Sequence, residues 1–175
     1  MILAIETAQM DFSIACLSAD LYREDTWSDV SITLDVKVRA LLSDIDLSAL
    51  SVIIVNIGPG RFSGIRSGVA FAIGLAEALG IGIYPVTTFD VISEQVSRSD
   101  PFYTAVDARK QQCYLQHHLA GEQDPVLSSL DGLAELKDPV YGTAPNEGCI
   151  LCTPHAAVMA KMAQKMLEDN IEPVK

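Results

Sequence analysis

Residues 52–80 constrain what this chain can fold into more than any other stretch. Val52-Ile53-Ile54-Val55 reads as a buried strand. Gly58-Pro59-Gly60 reads as a tight turn, in which glycine supplies positive φ and proline fixes its own. From Ser63 a helix is expected to run to Gly80, its C-cap. That helix is apolar or small almost all round. Its clearly polar residues are Arg66, Ser67 and Glu77, and Arg66 and Glu77 project within roughly 20° of each other. A helix of this composition is buried on more than one side. Gly64, Gly68, Ala72, Ala76 and Gly80 recur every fourth residue and form a smooth ridge that another helix can approach closely. With about 17 residues and two charges, it is a poor membrane span. One sheet can cover one face of it. Leaving Ile65, Val69 and Ile73 in water forgoes ~1.5–3 kcal/mol each. The other face is therefore expected to be a partner interface made by Gly64, Ile65, Gly68, Val69, Ala72, Ile73 and Ala76, against the alternative of an ordinary core helix.

The composition narrows the classes of function. The chain has 175 residues, 49% of them hydrophobic, enough for one large domain or two small ones. Its formal net charge of −11 repels phosphates, so direct nucleic-acid binding is not expected. Met1-Ile2-Leu3-Ala4-Ile5 has no basic flank and meets Glu6 at once, so it reads as a first strand and not a secretory leader. A cytoplasmic location and no membrane contact are expected, with Cys16, Cys113, Cys149 and Cys152 reduced.

Taken in order, Ile2–Ile5 and Phe12–Leu17 read as a hairpin, with a third strand near Leu21–Thr26 that breaks at Trp27-Ser28-Asp29. Leu34–Leu42 reads as a helix with Thr33 at its N-cap. After the central strand and helix, Gly82–Val86 is a further strand, and Thr87-x-x-Asp90 resembles a capping box opening a helix through Val96. The polar run Ser97-Arg98-Ser99-Asp100-Pro101 marks the expected boundary between domains 1–100 and 101–175. The opening pattern then returns: Tyr103–Arg109 is an apolar strand ending on Asp107, followed by a second strand through Leu119. The period of about 101 residues implies two related halves. Val140–Gly142 and Cys149–Cys152 are brief strands, and Pro154–Glu168 is a final helix, so the second half is shortened.

Two halves that each begin with an acid-ended hairpin resemble the actin/sugar-kinase/Hsp70 fold, an α/β architecture of related βββαβα halves. Gly58-Pro-Gly-Arg-Phe-Ser-Gly-Ile-Arg66 is similar to the GPGSFTGLR signature of the TsaB family, also called YeaZ. Val106-Asp107-Ala108-Arg109-Lys110 resembles that family's VDAR(R) turn, and Ile2–Thr7 its ILAIDT start. Pro85–Phe89 resembles its strand-to-helix junction. The resemblance covers about residues 1–115. It implies a noncatalytic dimerisation or scaffold subunit, not an enzyme, that binds TsaD. TsaD transfers threonylcarbamoyl to the tRNA adenosine beside the anticodon (t6A synthesis), and TsaE, an ATPase, joins the two. It further implies a homodimer when alone and no cofactor. The chain departs from the pattern at Glu6, Ala8, Arg61 and Ser63, where the family has aspartate, a small hydroxyl residue, serine and threonine. The longer carboxylate and the lost hydroxyl both argue against nucleotide chemistry. The alternative reading is an ATP-dependent kinase or ATPase of the same fold.

Each candidate site has a plain counterpart. Gly58 and Gly60 could cradle phosphate at a helix start, but the Lys and Ser/Thr of a P-loop are missing, and a structural turn accounts for them. Glu6 and Asp107 are candidates for a cleft pair, or for turn-holding carboxylates. Cys149-x-x-Cys152-x-x-His155 has metal-ligand types but no fourth ligand, and buried strand cysteines are the simpler reading; no metal is expected. His117 and His118 are neighbours on a strand and point to opposite faces.

Overall fold

The computed structural model describes residues 1–28, 33–118 and 124–175. Asp29 and Leu119, read above as a strand breaker and a strand end, lie outside the described residues. The chain forms two compact units, residues 1–86 with 155–175, and residues 87–154.

The first unit is built on a five-stranded sheet. Its strands are β1 (Ile2–Glu6), β2 (Phe12–Leu17), β3 (Tyr22–Trp27), β4 (Val52–Asn56) and β5 (Gly82–Val86), in the spatial order β3-β2-β1-β4-β5. β1, β2 and β3 are antiparallel, whereas β1, β4 and β5 are parallel. Every residue of β1 and β4 is buried, as expected of central strands covered on both faces. One face is covered by α1 (Leu34–Leu41) and α2 (Phe62–Leu79). α4 (Ala156–Glu168) packs on β1, β2 and β4, burying Ala156, Met159, Ala160 and Ala163. His155 is the N-cap of α4: its Nδ1 accepts the Ala157 N–H at 3.3 Å, and its Nε2 lies 3.2 Å from Thr26 Oγ1. Pro154 therefore stays outside the helix that it was expected to open. Thr33 stands at the N-cap of α1 but caps no backbone N–H; its hydroxyl bonds the Asp35 carboxylate instead.

The second unit repeats the topology. β6 (Phe102–Arg109), β7 (Gln112–His118), β8 (Val126–Ser129), β9 (Val140–Gly142) and β10 (Cys149–Leu151) lie in the order β10-β9-β6-β7-β8, again with three antiparallel and three parallel strands around the first. This repetition of strand order and direction is the two-halved α/β layout expected. The shortening is also explained. A 3-10 turn at Leu130–Glu135 stands where α1 stands, and the loop 143–148 replaces α2 between the parallel pair β9 and β10.

The boundary is corrected. The chain divides at Val86/Thr87 and again at Pro154/His155, not at 100/101. α3 (Thr88–Val96), opened by a capping box of Thr87 and Asp90, sets Phe89 and Ile92 against Val106 of β6. Each half's last helix thus packs on the sheet of the other half, α3 on β6 and β9, α4 on β1, β2 and β4. A polar run in the sequence marks a chain segment at the surface, not the line along which apolar surface is shared.

The docking of α4 can be tested at one buried bond. The Ala156 N–H, otherwise an orphan of the helix start, donates to Ser13 Oγ at 3.0 Å, and Ser13 is buried. Ser13→Ala should lower stability by about 1–3 kcal/mol, read by urea denaturation, since the donor is left dry and unpaired.

Candidate partner-docking site

The turn between β4 and α2 is clamped to the turn after β1. The Asn56 side chain accepts the Gly58 N–H at 2.7 Å through Oδ1 and donates through Nδ2 to the Glu6 carboxylate. Glu6 also accepts the Ala8 N–H at 2.7 Å. The Ala8 carbonyl accepts the Arg61 N–H at 2.6 Å, and the Thr7 hydroxyl donates to the Gly64 carbonyl at 2.8 Å. Glycine is required along this seam. A Cβ at Gly60 would lie 2.2 Å from the Ala8 carbonyl oxygen, one at Gly64 2.0 Å from the Thr7 oxygen, and one at Gly68 2.2 Å from Thr7 Oγ1.

The ridge read as a partner interface therefore faces inward, and the expectation is corrected for four of its seven residues. Gly64, Gly68, Ala72 and Ala76 are buried against the sheet. Ile65 and Val69 are half-buried, and Ile73 is 56% exposed. The physical reason is backbone proximity: β1 and its turn approach α2 so closely that only glycine and alanine fit. A signal for this was present. At ~100° per residue Gly68 lies roughly 160° from Arg66, so the charged strip and the ridge mark opposite faces.

What α2 shows outward is a second row of small residues, Ala70, Gly74 and Ala78, beside Phe62 and Ile73. Phe62 is 74% exposed, with the Arg66 guanidinium 5.3 Å over its ring. Nothing lies within 4 Å of where a Gly74 Cβ would be. Between this row and α1 runs an apolar groove of about 680 Å³, lined by Val38, Leu42, Leu47, Phe71 and Leu75 and edged by Asp35 and Arg39. Sequence reasoning missed this groove because two rows on one helix share the four-residue spacing. α2 is long and apolar enough to cross a membrane, but its inner row is packed on β1 and β4.

The remaining candidates hold turns. Glu6 is fully buried, and burial pushes its carboxyl up to about 7 against the lowering effect of its bonds from Asn56 and Ala8. The Gly58 N–H is taken by Asn56, and the Ala8 carbonyl fills the space beside Gly60. In the second unit Asp107 accepts the Arg109 N–H at 2.8 Å across a bulged hairpin whose residues Arg109, Lys110 and Gln111 all have positive φ. Among the described residues no three His, Cys, Asp or Glu side chains gather as a metal site. Burial pushes the Cys149 thiol up to about 11, so it is not a reactive thiolate. His117 meets Asp138 at 2.8 Å and His118 meets Thr104 Oγ1 at 2.9 Å, so the two histidines do point to different partners.

Comparison with known proteins places these features. Residues 29–168 match the sequence model of the family described as TsaD: tRNA N6-adenosine threonylcarbamoyltransferase. The tRNA threonylcarbamoyladenosine biosynthesis protein TsaB of Bacillus subtilis is 35% identical over 125 residues, which are 65% of this chain and 52% of that protein. An uncharacterized protein of Mycobacterium tuberculosis is 35% identical over 86 residues, 48% of this chain and 40% of that one. The chain thus spans about half the length of the curated relatives it matches. YeaZ from Pseudomonas aeruginosa has the same fold, with a TM-score of 0.79 at 22% identity over 99% of this chain and 94% of that chain.

Two outcomes follow from the site. Gly64→Ala should cost at least about 3 kcal/mol in urea denaturation, because its Cβ meets backbone, whereas Gly74→Ala should stabilise α2 by about 0.5–1 kcal/mol. Glu6 keeps its proton in the folded state up to about pH 7, while a free glutamate ionises near its ordinary value of 4.5. The folded state is thus favoured below that value and loses roughly 3 kcal/mol as pH rises between the two. Glu6→Gln should flatten this decline in melts recorded from pH 4 to 8.

Proposed function

The chain belongs to the TsaB (YeaZ) family, and on that premise we propose that it is a noncatalytic scaffold subunit of t6A synthesis. It binds TsaD through the outer face of α2 and the groove beside α1, TsaE joins the pair, and the chain pairs with itself when alone. The work belongs to the cytoplasm, where tRNA is modified, and the partner holds the RNA, since a chain of net charge −11 repels it.

The observation that carries this reading is the uncovered face of α2. Ala70, Gly74 and Ala78 let a helix approach closely, and Phe62, Ile73 and the groove lining supply apolar surface to bury. Covering Phe62 and Ile73 is worth ~1.5–3 kcal/mol each, the scale of a hot spot. The noncatalytic reading is supported by the occupied turn. Glu6 and the Gly58 N–H, which an ATPase would need free, are bonded to Asn56 and Ala8, and the Ala8 carbonyl fills the space beside Gly60.

Light scattering on a sizing column, with the TsaD of the same organism, tests the proposal. The two proteins should elute as a heterodimer that forms at the expense of any homodimer. Gly74→Glu should weaken it at least tenfold while leaving the melting curve near that of the wild type, because the position is open. A Gly74→Glu protein that still binds TsaD normally would move the interface elsewhere.

A further inference from the structure

The outer edge of β5 carries a built contact with the chain that follows α4. β5 ends the first sheet, and the chain leaving α4 returns to it. The Ile83 N–H donates to the Val174 carbonyl at 2.8 Å, and the Val174 N–H donates to the Ile83 carbonyl at 2.9 Å, one antiparallel pair. The buried Tyr84 donates its hydroxyl to the Ile171 carbonyl. The Pro173 ring lies where a Cβ on Gly82 would be, at 2.6 Å, so only glycine leaves room for it. The backbone amide positions of Ile83 and Pro85 face the outer edge, and proline has no N–H, so of the two only Ile83 offers a donor there. Beside it lies an apolar groove of about 380 Å³, lined by Val55, Val69, Ile73, Ile81 and Val174 among others. Val174 itself is 61% exposed, so the segment occupies the edge and leaves the groove largely open.

We propose that the β5 edge is an acceptor site for an extended peptide of the pattern apolar-x-Pro-Val, occupied in this chain by its own residues 171–174 as a displaceable strap. The bound segment defines the ligand chemistry: a proline that only Gly82 admits, a β-branched residue that exchanges two backbone bonds with Ile83, and a carbonyl that Tyr84 reaches. A partner's extended segment of this pattern adds to the sheet as a strand. The tether holds the strap at an effective concentration of about millimolar, so an outside peptide competes only when the strap is loosened or the partner is held nearby. An edge strand left bare invites unwanted pairing, and the strap also closes it.

The test uses the full chain with Val174→Pro, which removes the N–H given to Ile83, and Val174→Ala as the control that keeps the backbone bond. The probe is a fluorescent synthetic peptide of residues 169–175. Hydrogen exchange at the Ile83 amide should quicken at least tenfold in Val174→Pro and be slowed again by the peptide. Fluorescence anisotropy should show the peptide bound at least tenfold more tightly by Val174→Pro than by the wild type or Val174→Ala. Unchanged protection of Ile83 in Val174→Pro, or equal peptide affinity across the three proteins, would overturn the proposal. Far-ultraviolet circular dichroism matching the wild type separates a loosened strap from an unfolded chain.

Discussion

Everything in the first unit depends on how closely α2 lies on the β1 turn. Three glycines at four-residue spacing, one in the turn and two in α2, bring the backbone against Thr7 and Ala8, at distances where any Cβ would overlap oxygen. That approach lets Arg61 donate to the Ala8 carbonyl and Thr7 to the Gly64 carbonyl. It fills the space beside the turn with the backbone of Thr7 and Ala8, and it leaves the opposite side of an apolar helix facing out. One steric requirement thus packs the inner row of α2 against the β1 turn and leaves its outer row uncovered.

The buried Glu6 follows from the same clamp. A carboxyl sealed under two turns is costly to ionise, and here Asn56 and the Ala8 N–H offset only part of that cost. The residue acts as a joint: it ties the end of β1 to Asn56, which in turn ties the start of the glycine turn. In the second unit, where a short loop replaces α2, Asp107 is partly exposed and, among the described residues, bonds Arg109 of its own hairpin. The two carboxylates at equivalent places in the repeat thus differ in surroundings: Glu6 is sealed beneath the turns beside α2, and Asp107 holds an open hairpin.

Much of this was legible in the sequence. The acid-ended hairpins near Glu6 and Asp107 announced two halves because each strand's period is local. The Thr87–Asp90 capping box and the Gly80 C-cap were readable for the same reason. The division of the chain was not, because the exchange of α3 and α4 between sheets depends on which apolar faces meet, and no local pattern encodes that. The orientation of α2 was half legible. Arg66 and Glu77 marked its solvent side, but the small-residue row was read as an outward ridge, and the contacts of Gly68 with Thr7 reverse it. β8 and the 3-10 turn at Leu130–Glu135 went unseen because their apolar residues are few and their strand is an edge.

The central claim is that the inner row of α2 is core and its outer row is the docking face. Hydroxyl-radical footprinting of the chain, alone and saturated with TsaD, tests it most directly. The account predicts that Phe62, Phe71, Ile73 and Leu75 are labelled in the free chain to the extent of their exposure and are protected in the complex, while Tyr22 on β3 stays labelled in both. A complex confirmed by its mass in which those α2 side chains remain as reactive as in the free chain would contradict it.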